Sequence, residues 1–226
     1  MGMRRSIAVL LLGFCVLMAS VPAAAGQGAS EPVLVLDAGH GGEDGGAVDP
    51  SGHKESDINL AIVRKLRDLM AFLGVEAVLT RTEDVSICDR DCVTLREKKV
   101  SDLKNRAALI GAIENAVVVS VHQNSFTDSR YHGPQVFYNR GEAARLWGEE
   151  TQKALNAALG GSRSAAPVRE DIYLFSHIGC PAILVECGFL SNGEEAALLR
   201  TDSYQRTLAA VLAAACFRQM QVPPAP

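Results

Sequence analysis

The sequence predicts an α/β protein with a single domain, built on a mostly parallel twisted sheet with helices on both faces. Three observations lead to this prediction. The chain has 226 residues, which is enough for one well-buried core and short for two. Short apolar segments alternate with longer segments whose apolar residues recur at helical spacing. Most of the short segments lack polar alternation, which is typical of strands buried on both faces.

The elements follow in order along the chain. The predicted strands are residues 33–36, 75–79, 117–121, 135–138 and 182–185. The first predicted helix covers residues 57–73, with Ser56 as its N-cap and Gly74 just past its end. Further helices are predicted for residues 101–116, 142–159 and 204–219. Residues 81–99 are rich in charge, and their pattern assigns them to neither class.

The N-terminus has the pattern of an export signal. Arg4 and Arg5 precede an apolar run at residues 7–21, and small residues follow up to Ala25. We predict a signal peptide over residues 1–25, a catalytic domain over residues 32–219 and a loose tail over residues 220–226. The apolar run is shorter than the roughly 20 residues of a membrane span, which favours cleavage over an uncleaved anchor. Both readings predict an exported protein that works outside the cytoplasm, in the region of the cell wall or spore cortex.

Charge and cysteine content exclude several classes of protein. Loss of the signal peptide removes two arginines and no acidic residue, so the 22 basic residues fall to 20 against 26 acidic ones and the formal charge is −6. This charge excludes nucleic acids and anionic surfaces as partners. The five cysteines that remain are too few for a disulfide-built scaffold. For Cys88 and Cys92 the sequence leaves two readings open, a small-loop disulfide or two free thiols.

Chemically competent side chains follow three of the predicted strands. His40 lies in the glycine-rich stretch "LDAGHGGEDGG" after the first strand, His122 follows the strand 117–121, and Glu186 follows the strand 182–185. The carboxyl ends of parallel strands meet at one edge of a sheet, so these side chains are expected to lie close together. Glu55 lies at the entrance to the helix after the glycine-rich loop, where the helix dipole favours its ionised form.

Two histidines and one carboxylate form a known set of catalytic zinc ligands, which leaves a fourth position for water. A second carboxylate nearby could then transfer protons. The glycines around His40 would let the backbone approach the metal closely, and Asp37 and Asn124 are expected to orient the histidines. The competing interpretation is that all of these are ordinary polar residues at strand ends. His132 and His177 have no ligand spacing, whereas His53, two residues before Glu55, could be a ligand. Cys187 is expected to be a buried thiol on the opposite face of the sheet from Glu186.

Four motifs carry a resemblance to a known family. They are "HGG" at His40, Glu55 with the following "SDINL", "SVHQN" around His122, and "ECGFLSN" from Glu186. In this order and spacing they resemble the zinc-dependent N-acetylmuramoyl-L-alanine amidases (amidase type 3) of bacterial cell walls, and the likeness spans residues 32–219. The stretches "REKKVSDLKNR", "HQNSF" and "GPQVFYN" are most similar to the sporulation- and germination-specific, CwlD-like subgroup, which helps to make muramic lactam in spore cortex.

The resemblance implies a mechanism and a substrate. It implies that His40, Glu55 and His122 bind Zn²⁺ and that Glu186 is the catalytic acid/base. It also implies that the substrate is peptidoglycan, cleaved at the amide between muramic acid and L-alanine. Two alternatives stay open: a zinc carboxypeptidase or endopeptidase acting on wall peptides, and a wall-binding module without catalysis. Because the chain lacks a repeat that could grip the wall, an accessory or activating protein is a further expected partner. The oligomeric state is not predicted.

Overall fold

The structure is a computed structural model and describes residues 31–221. The predicted signal peptide lies outside the described residues, as do residues 222–226 of the predicted tail. Residues 31–221 form one six-stranded sheet surrounded by helices. Within this range, no helix combines the length and the apolar character that a membrane span requires.

The sheet is mostly parallel. Its strands, in chain order, are β1 (Val33–Ala38), β2 (Ala77–Leu79), β3 (Ala116–Asn124), β4 (Gln135–Tyr138), β5 (Ala166–Pro167) and β6 (Ala182–Phe189). The order across the sheet is β2-β1-β3-β6-β4-β5. Neighbours among β2, β1, β3 and β6 run parallel, whereas β4 is antiparallel to β6 and parallel to β5. The four parallel strands bring their carboxyl ends to the same edge of the sheet.

Helices cover both faces of this sheet. They are α1 (Glu55–Phe72), α2 (Leu95–Gly111), α3 (Glu142–Leu159), α4 (Tyr173–His177), α5 (Gly193–Leu199) and α6 (Asp202–Met220). Helices α1, α3 and α6 pack on one face, against apolar side chains such as Leu36, Val119 and Val185. Helices α2 and α4 cover the other face, which presents Val35 and Leu184. Burial on both faces explains why the strands lack polar alternation, and it confirms the predicted fold class.

The predicted N-cap of α1 is wrong. The helix begins at Glu55, and its N-cap, Lys54, makes no side-chain capping bond. The backbone N–H of Glu55 donates instead to the carbonyl of Ala47, and that of Ser56 donates to Gly45. Because backbone carbonyls of the glycine-rich loop accept these N–H groups, no capping side chain is needed. The Ser56 side chain is buried, and its Oγ has no hydrogen-bond partner among the described residues.

The second helix, predicted at residues 101–116, lies five to six residues earlier in the chain. Helix α2 begins at Leu95, six residues before the predicted start, behind a capping box in which Thr94 and Glu97 bind each other's backbone N–H groups. It ends at Gly111 because β3 already begins at Ala116. The helix therefore includes part of the charged stretch that the pattern left unassigned.

The remaining predicted strands and helices are present, with shifts at their ends. Strands β3 and β6 extend three and four residues beyond their predicted ends, to Asn124 and Phe189. As a result His122 and Glu186 lie within strands rather than after them, and they are register partners in the parallel pair. The short elements β5, α4 and α5 were not predicted.

Candidate metal centre and active site

Two histidines and a glutamate meet at the carboxyl edge of the sheet. His40 lies on the loop after β1, Glu55 begins α1, and His122 lies in β3. One potential ligand atom from each of the three lies within 4.8 Å of the other two. Glu55 Oε1 is 3.4 Å from His40 Nε2 and 3.0 Å from His122 Nδ1. In residues 31–221 this is the one cluster of such residues that could hold a metal ion.

The glycines of the loop make room for this cluster. A Cβ atom on Gly39 would lie 2.2 Å from the ring of His122, and one on Gly46 would lie 2.4 Å from Glu55 Oε2. Both distances are far inside van der Waals contact, so a side chain at either position would push a candidate ligand away. His40 itself has φ 61°, a left-handed conformation that is uncommon outside glycine.

Asp44 orients His40. Its Oδ2 is 2.9 Å from His40 Nδ1, which leaves Nε2 directed at Glu55. Lys99 and the backbone N–H of Gly46 in turn bind Asp44 Oδ1. A carboxylate on the far nitrogen of a histidine is the usual way to fix the ring of a metal ligand. Burial lowers the pKa of His40, but Asp44 and Glu55 outweigh burial and raise it to about 9.

Sequence reasoning missed Asp44 and named Asp37 and Asn124 for this role. The structure contradicts the prediction for Asp37. Among residues 31–221 its side chain bonds to Arg106, Thr80 and Ser120, and to neither histidine. Burial alone would raise the pKa of Asp37, but Arg106 and the hydroxyl donors lower it to about 2. Asn124 accepts the N–H of Leu190 on its backbone carbonyl. The spacing of Asp44, four residues after His40 in one loop, was the available signal.

Two buried arginines hold the backbone before and at His40. Arg106, with 1% of its surface exposed, donates to the carbonyls of Ala38 and His40. Arg81 donates to the carbonyls of Ala38 and Gly39. These carbonyls lie where the loop leaves the strand, so the guanidinium groups supply the donors that a neighbouring strand would otherwise provide.

Glu55 is almost fully buried among its partners. Its Oε2 accepts the N–H of Ala47, and its Oε1 accepts the N–H of Gln123 and an N–H of the Asn59 amide. Burial raises the pKa of Glu55, but His122 and His40 outweigh burial and hold the pKa well below its usual range. The carboxylate is therefore ionised at neutral pH, as a metal ligand must be.

Glu186 is different because its carboxylate has few partners. It is the register partner of His122 in the neighbouring strand, and its Oε2 is buried with no hydrogen-bond partner in the described part of the chain. Burial raises its pKa from 4.5 to about 7, with the charge of His122 opposing the shift and that of Glu55 adding to it. A carboxyl group with a pKa near neutrality can both accept and donate a proton.

A cavity of about 280 Å³ opens beside these residues. His40, His122 and Glu186 line one end. Its walls come from α2, with Lys99 and Leu103, and from the segment that contains α4, with Ile172, Leu174 and Phe175. His40, His122 and Glu186 can therefore reach a molecule in a partly apolar cleft.

The other residues considered in the sequence lie outside this cluster. His53 contacts Asp49 and Arg200, while His132 and His177 are exposed and contact nearby backbone carbonyls. Cys187 is buried in the core on the face of the sheet opposite to Glu186, as predicted. Burial raises the pKa of its thiol. Cys88 and Cys92 are free thiols here, like the other cysteines of residues 31–221.

Comparison with known proteins finds relatives that match most of the chain. Residues 34–217 match the family model described as N-acetylmuramoyl-L-alanine amidase, Amidase_3. The germination-specific N-acetylmuramoyl-L-alanine amidase of Bacillus subtilis is 32% identical over 187 residues, which cover 80% of this chain and 76% of that protein. The AmiA amidase of Escherichia coli is 28% identical over 226 residues, which cover 80% of this chain and 73% of that protein.

A solved amidase structure is also similar to this chain. The CwlD amidase from Clostridioides difficile, determined in complex with the GerS lipoprotein, superimposes with a TM-score of 0.79 and 36% sequence identity. The match covers 83% of this chain and 98% of that one. By its family match, its sequence relatives and its fold, this chain belongs to the Amidase_3 family of N-acetylmuramoyl-L-alanine amidases.

Proposed function

We propose that this protein hydrolyses the amide that joins the lactyl group of N-acetylmuramic acid to L-alanine in peptidoglycan. The observation that carries the proposal is the meeting of two imidazoles and a carboxylate within 4.8 Å, with Glu186 on the strand next to His122 and its Oε2 without a hydrogen-bond partner among residues 31–221. Amide hydrolysis needs an electrophilic centre and a group that moves protons. A metal ion held by the three side chains would supply the first, and Glu186 would supply the second. Family membership supports the choice of bond.

His40, Glu55 and His122 are assigned to zinc. The donor set fits this ion, which takes imidazole nitrogen and carboxylate oxygen and keeps one position open in catalytic sites. Zinc held by these residues would lower the pKa of a water molecule to about 7 and polarise the substrate carbonyl. Asp44 keeps His40 in the ligating orientation, and the guanidinium of Arg106 holds the backbone of that residue.

Glu186 is assigned to proton transfer. Its carboxylate accepts a proton from the attacking water and then donates it to the leaving nitrogen of L-alanine. Burial raises the pKa of this carboxyl and a bound cation would lower it, so the two effects oppose each other at the position where a group must both accept and donate a proton. Because Glu186 lies on a central strand, its backbone is held in register with that of His122 on the neighbouring strand.

The relatives also suggest a biological setting. One is named as germination-specific and another was solved with a lipoprotein, which supports a role in spore cortex and an accessory protein for this chain. Action on peptidoglycan requires export, for which the signal peptide predicted at residues 1–25 would serve.

The test is to incubate the purified protein with peptidoglycan and identify the products by mass spectrometry. We expect peptides with a free N-terminal L-alanine, no release after chelation, and recovery when zinc is restored. Cleavage inside the peptide, with the lactyl amide intact, would identify a carboxypeptidase or endopeptidase instead. Absence of any cleavage, with zinc bound and the wall retained, would identify a binding module.

A further inference from the structure

An exposed pair of aromatic rings lies beyond the carboxyl ends of the two strands that carry His122 and Glu186. The rings belong to Phe126 and Tyr131, which are 53% and 45% exposed. Their centroids are 5.0 Å apart and their planes meet at 74°. Phe126 is four residues from His122, so their Cα atoms are at most about 14 Å apart. We call Phe126 and Tyr131 the aromatic corner.

The loop that carries the aromatic corner is fixed by side chains from outside it. Its backbone N–H at Phe126 donates to Ser191 Oγ, and its carbonyl at Ser129 accepts from the amide of Asn192. The nearly buried carboxylate of Glu195 accepts the N–H of Gly133. Loops that only connect elements are usually less constrained. The backbone that carries the exposed rings is therefore held in place, which lowers the entropic cost of ordering the loop on binding.

The side chains of Arg163 and Phe189 pack against the ring of Tyr131. The guanidinium carbon of Arg163 lies 5.9 Å from the ring centroid of Tyr131 and 5.0 Å from that of Phe189, and its nitrogens donate to the carbonyl of His132. Phe189 is buried at the end of β6, three residues after Glu186. The corner is thus packed onto the strand that carries the proposed proton-transfer residue.

We propose that the aromatic corner binds a sugar ring of the glycan strand next to the cleaved amide. This inference rests on the proposed function, because it takes peptidoglycan as the substrate. A pyranose presents C–H groups on its faces and hydroxyl groups on its edges, so it can lie on an aromatic face while its edges bind polar groups. The loop offers such groups close by in Asp128 and Arg130, which pair with each other at 2.7 Å.

The two exposed rings favour the glycan as the occupant, because their flat apolar faces suit the C–H faces of a pyranose. The charges of Asp128 and Arg130 cancel within their ion pair, so this pair adds no net charge beside an uncharged N-acetylated sugar. The muramic acid ring is also joined directly to the lactyl group, so a bond placed at the metal ligands brings this ring to their immediate surroundings.

The test measures binding separately from cleavage. In the Glu186→Gln background, affinity for peptide-free glycan strands is measured for the parent, Phe126→Leu, Phe126→Tyr and Tyr131→Leu. We expect the two leucine variants to lose about tenfold in affinity, since they keep apolar volume but lose the flat face. Phe126→Tyr keeps an aromatic ring and should bind glycan with the affinity of the parent. Phe72→Leu, which alters a ring that is 87% exposed at the end of α1, is the matched control and should bind like the parent.

The outcomes separate this inference from the proposed function. Parent protein that fails to bind glycan, leucine variants that bind like the parent, or a loss seen only with peptide-bearing fragments would each overturn the aromatic corner as a sugar site. Wild-type protein is assayed in parallel for release of L-alanyl peptides. If it releases none while the leucine variants still lose glycan binding, the proposed hydrolysis is wrong and the sugar site stands.

Discussion

Replacement of Glu186 by glutamine is expected to stop hydrolysis and to make the protein more stable at alkaline pH. Burial raises the pKa of this carboxyl from 4.5 to about 7 in the folded chain. Between these two values the folded state holds a proton that the unfolded state has released. The free energy of unfolding of the wild type therefore falls as the pH rises from about 4.5 to about 7, and the loss is complete above that range.

The size of this effect follows from the pKa difference. Each tenfold difference in proton affinity corresponds to ~1.4 kcal/mol, so a pKa raised from 4.5 to about 7 gives about 3 kcal/mol. Glutamine has nearly the same shape and no charge to bury. Its amide would nevertheless need partners in a place where Glu186 Oε2 has none among the described residues. We therefore expect the variant to be about 1–3 kcal/mol more stable than wild type at pH 8, and equal to it or up to about 2 kcal/mol less stable at pH 4.5, because the cost of the buried amide is the same at both pH values.

The assay is urea denaturation of both proteins across this pH range, after chelation, because a bound cation would itself lower the pKa of Glu186. Glu150→Gln on α3 alters an exposed glutamate and is the matched control, with no expected pH-dependent gain. A stability difference between Glu186→Gln and wild type that is equal at both ends of the range would refute the reasoning. With zinc present, the variant should keep one ion while turnover falls by at least about 10²- to 10⁴-fold.

Further predictions concern the metal, the cap of α2 and the thiols. His40→Ala should lower zinc content and activity together, and metal analysis that finds full zinc would contradict its role as a ligand. Asp44→Asn should weaken zinc binding about 10- to 100-fold in competition with a chromogenic chelator, because the orienting charge is lost; an unchanged affinity would leave Asp44 without that role. Thr94→Ala should cost about 1 kcal/mol in urea denaturation by removing the cap of α2, and a change near zero would contradict the capping box. Titration of the denatured, unreduced protein should find Cys88 and Cys92 reactive, whereas their loss from the thiol count would indicate a disulfide.

The candidate ligands were accessible from the sequence because simple topology brings them together. Continuous apolar runs indicated parallel strands, and the ends of such strands must meet at one edge. The structure brings His40 and His122 together there, and it makes His122 and Glu186 register partners. Glu55 was found from its place at the start of a helix and from its motif, and it too joins the cluster.

The supporting residues were not accessible in the same way. Arg106 binds the carbonyl of His40 across 66 residues of sequence, and no periodicity or local spacing carries that information. The prediction of Ser56 as the N-cap of α1 failed for the same reason, a contact with a segment outside the helix. Its residue type suits a cap, but the loop folded over the helix start supplies backbone carbonyls that make a cap unnecessary. Local propensity was overridden at the points where distant segments meet.

The buried charges beneath the loop can be understood from the backbone that they hold. A buried ion pair such as Arg106 with Asp37 gains little over apolar packing, because both groups lose their hydration. The left-handed conformation of His40 costs a further ~1–2 kcal/mol. Apolar residues at the position of Arg106 could fill the space but could not donate to the carbonyls of Ala38 and His40. A guanidinium carries five N–H donors in a rigid plane, so it satisfies those carbonyls and Asp37 together. The ion pair therefore serves to keep a strained loop in the one shape that directs the imidazole of His40 at Glu55.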